Sequence, residues 1–100
     1  MCYKKEVLEN KIECFLSKRA KDLGALYWKF TSPGNSGVPD RLFIYQGCTY
    51  YIELKKPGGR LRPLQEKRKK DLLKVGIVVH VLSTKEGVES FVKIISAAHC

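Results

Sequence analysis

The chain has 100 residues, which suits one compact domain with a single modest core and leaves no room for a second. Apolar residues make up 44%, an ordinary share for a globular chain and an argument against disorder. Lys and Arg number 19 against 10 Asp and Glu, and the net charge of +9 favours a polyanionic partner, nucleic acid first, while saying nothing about fold.

A membrane partner is disfavoured. No stretch forms a long basic amphipathic helix with a bulky apolar face, and no apolar run is long enough to span a bilayer. The N-terminal MCYKKEVLENK lacks the apolar run of a signal peptide. Cys2, Cys14, Cys48 and Cys100 contain no C-x-x-C pair, so structural zinc is not expected; without a secretory signal the expectation is free thiols in a reducing cytosol.

Residues 5–23 are predicted as a helix, because Leu8, Ile12, Phe15, Leu16 and Leu23 recur on one stripe and Gly24 is a natural stop. Glu6, Glu9 and Glu13 flank that stripe. The helix dipole accounts for an acid at Glu6. For Glu13, and less so for Glu9, a functional role stands beside that of a solvated acid. Residues 25–30, ALYWKF, read as a strand with Trp28 and Phe30 on one face and Tyr27 on the other. Such aromatics are more often core, although in a basic protein they also stack on bases.

The loop TSPGNSGVP, residues 31–39, leads directly into Asp40, with Pro39 fixing φ ahead of it. Its small polar residues suit backbone contact with phosphate, or only a flexible connection. Residues 41–45 and 49–55 form a hairpin about a Gln46-Gly47 turn. That turn sets Tyr45 opposite Cys48 and, counting back, Asp40 opposite Glu53. Strand alternation puts Glu53 and Lys55 on one face. Leu42 and Ile44 share the Asp40 face, Phe43, Ile52 and Leu54 take the other, and apolar residues on both faces imply layers on both sides of the sheet. Two adjacent carboxylates repel unless a cation lies between them. The patch therefore reads as a Mg2+ or Mn2+ site with a lysine beside it.

Pro57-Gly58-Gly59 is a turn, and a helix follows from Arg62-Pro63 through Leu64, Leu72 and Leu73 to Gly76. Lys55, Lys56, Arg60, Arg62, Lys67, Arg68, Lys69, Lys70 and Lys74 are opposed in this stretch only by Glu66 and Asp71. Basic helix surfaces are usually solvated faces, but one placed directly after the acidic strand favours phosphate contact. IVVHVL, residues 77–82, fits an interior strand parallel to the hairpin's second strand, with His80 a core or edge residue rather than a ligand. Thr84 caps a last helix over 84–97, with Val88, Phe91, Val92 and Ile95 as its stripe. The order is α-β-β-β-α-β-α, an α/β domain with a small mixed sheet flanked by helices.

GVPD at 37–40, IELKKPGG at 52–59 and PLQ at 63–65, with YWKFTSPG before them and GIVVHVLST after, resemble the VRR-NUC family of the PD-(D/E)XK nuclease superfamily. A bare PD followed by ExK is a weak pattern; this spacing, with a hairpin between and PLQ behind, is specific. The resemblance implies a restriction-endonuclease-like core over residues 1–100. It implies Asp40, Glu53 and the Leu54 backbone carbonyl as metal ligands, Lys55 as catalytic lysine and Gln65 as the family glutamine. It implies a further glutamate from the first helix, with Glu13 the best fit and Glu9 the fallback. Lys56, Arg60, Arg62, Lys67, Arg68, Lys69 and Lys70 would hold DNA.

The implied activity is Mg2+-dependent hydrolysis of DNA phosphodiesters, with Mn2+ able to substitute. VRR-NUC domains occur as the nuclease end of larger DNA-repair proteins and alone in bacteria and phages, and this chain resembles the second kind, which implies a place in the bacterial cytoplasm. The related archaeal Holliday-junction resolvases are symmetric dimers, so a homodimer nicking four-way or other branched DNA is expected. A flap-type or restriction-like nuclease is the alternative enzyme. A non-catalytic DNA-binding module is the alternative of another class, but it has no need of a carboxylate pair.

Overall fold

Gln46 and Gly47 reverse the chain with φ of 48° and 80°, the doubly positive geometry of a type I′ turn. In the computed structural model, which describes residues 8–98 and side chains from Lys11 onward, this turn joins β2 (Arg41–Tyr45) to β3 (Cys48–Leu54). Glu6 and the side chain of Glu9, to which roles were assigned above, lie outside the described residues. The other elements are α1 (Leu8–Leu23), β1 (Leu26–Lys29), α2 (Pro63–Lys74), β4 (Val79–Leu82) and α3 (Lys85–Ala97), in the predicted order.

The sheet runs β1-β2-β3-β4, antiparallel over its first three strands and parallel between β3 and β4, with α2 as the crossover. Tyr45 faces Cys48, as the turn requires. The expected strand over 77–82 is shorter: Ile77 N–H still bonds the Leu72 carbonyl at 2.9 Å, so the end of α2 claims that residue. Thr84 caps α3, its Oγ1 accepting from Gly87 N–H at 2.9 Å.

Strand alternation gives the two faces different contents. On one face Phe43, Ile52, Leu54 and Leu82 meet Ile12, Leu16 and Ala20 of α1 and the whole Val88, Phe91, Val92, Ile95 stripe of α3. His80 belongs to this side, its ring 4.9 Å from that of Phe91, and burial lowers its pKa. The other face is covered by α2, so helices flank both sides of the sheet as expected, although this cover is partial. Leu73 of α2 is 60% exposed and Trp28 of β1 54%. The aromatics of β1 therefore divide: Tyr27 packs on the core, whereas Trp28 is not a core residue. The cysteines also depart from expectation. Cys14 and Cys48 are disulfide-bonded, not free thiols. Pairing follows which sulfurs meet in space, and spacing along a chain does not report that.

Candidate active site

The sheet brings the acids together. Phe30 N–H bonds the Asp40 carbonyl at 2.9 Å, which carries the β1–β2 ladder one step past the Lys29–Arg41 pair. The β2–β3 register ends with Arg41 opposite Ile52, so its next step sets Asp40 opposite Glu53. Lys55 N–H bonds the Leu82 carbonyl at 3.0 Å, extending the parallel ladder and fixing the backbone on either side of the Leu54 carbonyl. By alternation the Lys55 side chain lies on the Glu53 face.

Glu53 is 8% exposed, and so is Gln65, the one buried residue of α2. Gln65 Nε2 donates to Glu53 Oε2 at 3.2 Å, while its Oε1 accepts from Arg62 N–H at 2.8 Å. With both ends of its amide engaged, Gln65 holds the Glu53 carboxylate in one orientation. Pro63 begins the helix at this point, where a missing N–H costs nothing.

Glu13 stands elsewhere. Its Oε2 accepts from Arg41 Nε at 2.7 Å and from the Tyr27 hydroxyl at 3.2 Å. Arg41 also reaches Asp40, Nη1 to Oδ1 at 2.9 Å, so Glu13 is linked to Asp40 through the guanidinium. Burial pushes the Glu13 carboxyl up, but Arg41, Lys29 and Tyr27 outweigh it and hold it below its ordinary value. Burial and the Glu13 charge raise the Tyr27 phenol. Burial works against the Arg41 charge, yet Glu13, Tyr27 and Asp40 raise its pKa, so it stays protonated.

The loop ahead of Asp40 is pinned to α2. Arg68 Nε donates to the Ser36 carbonyl at 3.0 Å. Gly37 has φ of 82° and lies so close to the helix that a Cβ would stand 2.9 Å from the Leu64 carbonyl oxygen. Only glycine meets both conditions. The loop is therefore more than a connection, because it ties Asp40 to the helix that carries Gln65.

Of the expected DNA contacts, Lys56, Arg60, Arg62, Lys67 and Lys70 are exposed, and Arg68 and Lys69 are half-buried. Lys67 pairs with Asp71 at 3.0 Å. Sequence reasoning missed Arg41, Tyr27 and the Gly37 contact. The signal for Arg41 was its place next to Asp40, where alternation turns it toward the α1 side.

Among the described residues, no group of three His, Cys, Asp or Glu side chains is arranged to hold a metal ion. The donors at hand are two carboxylates and a backbone carbonyl. This hard oxygen set fits Mg2+ or Mn2+, since Mg2+ is commonly held by one or two carboxylates and keeps several waters.

No family model matches the chain. A phage protein, "Putative nuclease p44" of Acyrthosiphon pisum secondary endosymbiont phage 1, is 35% identical over 81 residues, covering 80% of this chain and 87% of the relative. A solved structure described as a VRR_NUC domain superposes with a TM-score of 0.78 at 25% identity, covering 93% of this chain and 99% of the other.

Proposed function

Because this chain belongs to the VRR-NUC family of nucleases, we propose that it hydrolyses DNA phosphodiester bonds, in four-way junctions or other branched DNA, with Mg2+ as cofactor and Mn2+ as substitute. The observation that carries this reading is the buried Glu53, held by Gln65 at 3.2 Å and opposite Asp40 in the strand register. Asp40, Glu53 and the Leu54 carbonyl would hold the ion. When bound, it neutralises charge that builds on the phosphoryl oxygens and acidifies a nearby water.

Lys55, on the same face, orients or deprotonates the attacking water, or stabilises the developing charge. Gln65 keeps Glu53 in place. Glu13 acts through Arg41, whose guanidinium fixes one oxygen of Asp40; a direct place for Glu13 among the ligands is the lesser reading. The exposed cations before and along α2 bind backbone phosphates.

Two copies would double this basic surface and set two sites against two strands. Leu26 and Trp28, apolar and exposed on an edge strand, support self-association. No described helix is long and apolar enough to cross a membrane. The phage origin of the 35% identical relative supports action in the cytoplasm of a bacterial host.

The test is incubation of labelled junction, flap and duplex DNA with Mg2+, Mn2+ or EDTA. The expected result is metal-dependent cleavage, fastest on junctions, by a protein that sediments as a dimer. Binding without cleavage in either metal contradicts the enzyme and favours the binding module. A monomer at micromolar concentration that prefers flaps contradicts the junction reading.

A further inference from the structure

A cavity of about 280 Å3 opens beside Asp40, between the end of β1 and the following loop. Phe30, Thr31, Ser32, Asn35, Asp40 and Arg41 contribute to its wall. We propose that this cavity seats one unstacked nucleobase of the substrate strand, next to the phosphate to be cut. The proposal rests on the nuclease reading above and adds to it a specific contact with a base.

Charge decides between a base and a phosphate. Arg41 supplies a cation to the wall, but Glu13 engages it at 2.7 Å and Asp40 at 2.9 Å. Lys29 is the other cation there, its charge acting on Glu13, and the Asp40 carboxylate shares the wall. A phosphate would meet that carboxylate without a net positive charge to hold it. A base needs an apolar surface for its ring and polar groups for its edge.

The wall offers both. Phe30 is half-buried, and its ring sits edge-on to Tyr51, centroids 6.3 Å apart at 70°, so it is held in place as a platform. Thr31, Ser32 and Asn35 provide hydroxyl and amide groups. Asn35 Nδ2 donates to Ser32 Oγ at 3.1 Å, which fixes the plane of the amide. The volume is close to the roughly 300 Å3 lower bound of small-molecule pockets, room for one ring system and not for a length of strand.

Position links the cavity to the chemistry. Phe30 is hydrogen-bonded to Asp40 across the sheet, one strand spacing away, roughly 4.8 Å. A base on Phe30 therefore lies about one nucleotide from a phosphate held at Asp40 and Glu53. Branched DNA supplies such bases at low cost, because those at a branch point are already poorly stacked. The cavity thus gives this small surface a way to favour branched DNA over plain duplex.

The test is an abasic scan. Single abasic sites are placed one at a time through the branch, and binding to the wild-type protein is measured in EDTA. One position should weaken binding by roughly fivefold or more, the size of one lost base–aromatic stack. That penalty should vanish in Phe30→Ala and in Ser32→Trp, which fills the cavity from the loop; thermal melts check that both remain folded. Equal penalties at every position, or a full penalty persisting in both folded variants, would overturn the proposal. Because binding is read without metal, failure of the base contact is distinguishable from failure of cleavage.

Discussion

Beneath α1 and α3 the sheet is filled by Phe43, Ile52, Leu54 and Leu82, whereas beneath α2 the buried side chains include Glu53 and Gln65, joined at 3.2 Å. Ile52 and Glu53 are neighbours in β3, yet alternation sends one into the apolar core and the other to the acidic patch. The contrast teaches a division of labour. One face supplies the area removed from water on which folding depends. The other keeps a carboxylate out of water at a cost, and the Gln65 amide helps to hold it.

The comparison breaks first at Lys55. Lys55→Ala should lower cleavage by about 100- to 1,000-fold, the usual cost of removing a group that stabilises developing charge. DNA binding and melting temperature should stay near wild type. A large drop in melting temperature would mean that the α2 side carries stability as well.

Next in size is the core. Phe43→Ala removes a fully buried ring that stacks edge-on to Phe91 at 5.2 Å, and should cost ~3–5 kcal/mol in denaturant unfolding. Leu73→Ala on α2, where the side chain is 60% exposed, should change stability by less than about 0.5 kcal/mol. Similar losses from the two would erase the distinction between the faces.

Gly37→Ala probes the tie between the faces. It meets a positive φ and the Leu64 carbonyl together. It should cost ~1–3 kcal/mol and slow cleavage by shifting Asp40 relative to Gln65. Normal cleavage with normal stability would show that the loop has no positioning role.

The smallest effect is in pH. The folded Glu13 carboxyl lies below its ordinary value of 4.5, so its contribution to stability is present above that value. It is lost as pH falls through the lowered folded pKa. Glu13→Gln should flatten the acid limb of a stability-against-pH curve. An unchanged limb would contradict the Glu13–Arg41 pairing.

The hairpin was legible because a two-residue turn fixes every later pair, and Asp40 opposite Glu53 followed from counting. Gln65 was legible from its motif, and Thr84 from capping chemistry. Glu13 was harder. Its distance along α1 is visible, but the direction it points depends on how the helix packs, and there it pairs with Arg41. The leucines of α2 marked a helix, but periodicity does not reveal that it covers only part of a face. The cysteine pairings depend on distances in space that spacing does not contain.

The most direct measurement is cleavage and thermal melting of Glu53→Gln, side by side with wild type. The substitution keeps the shape and removes the charge that the proposed metal site would require. Cleavage in Mg2+ should fall to background while the melting temperature stays within a few degrees. A folded Glu53→Gln that cuts at the wild-type rate would contradict the assignment of this face as the catalytic one.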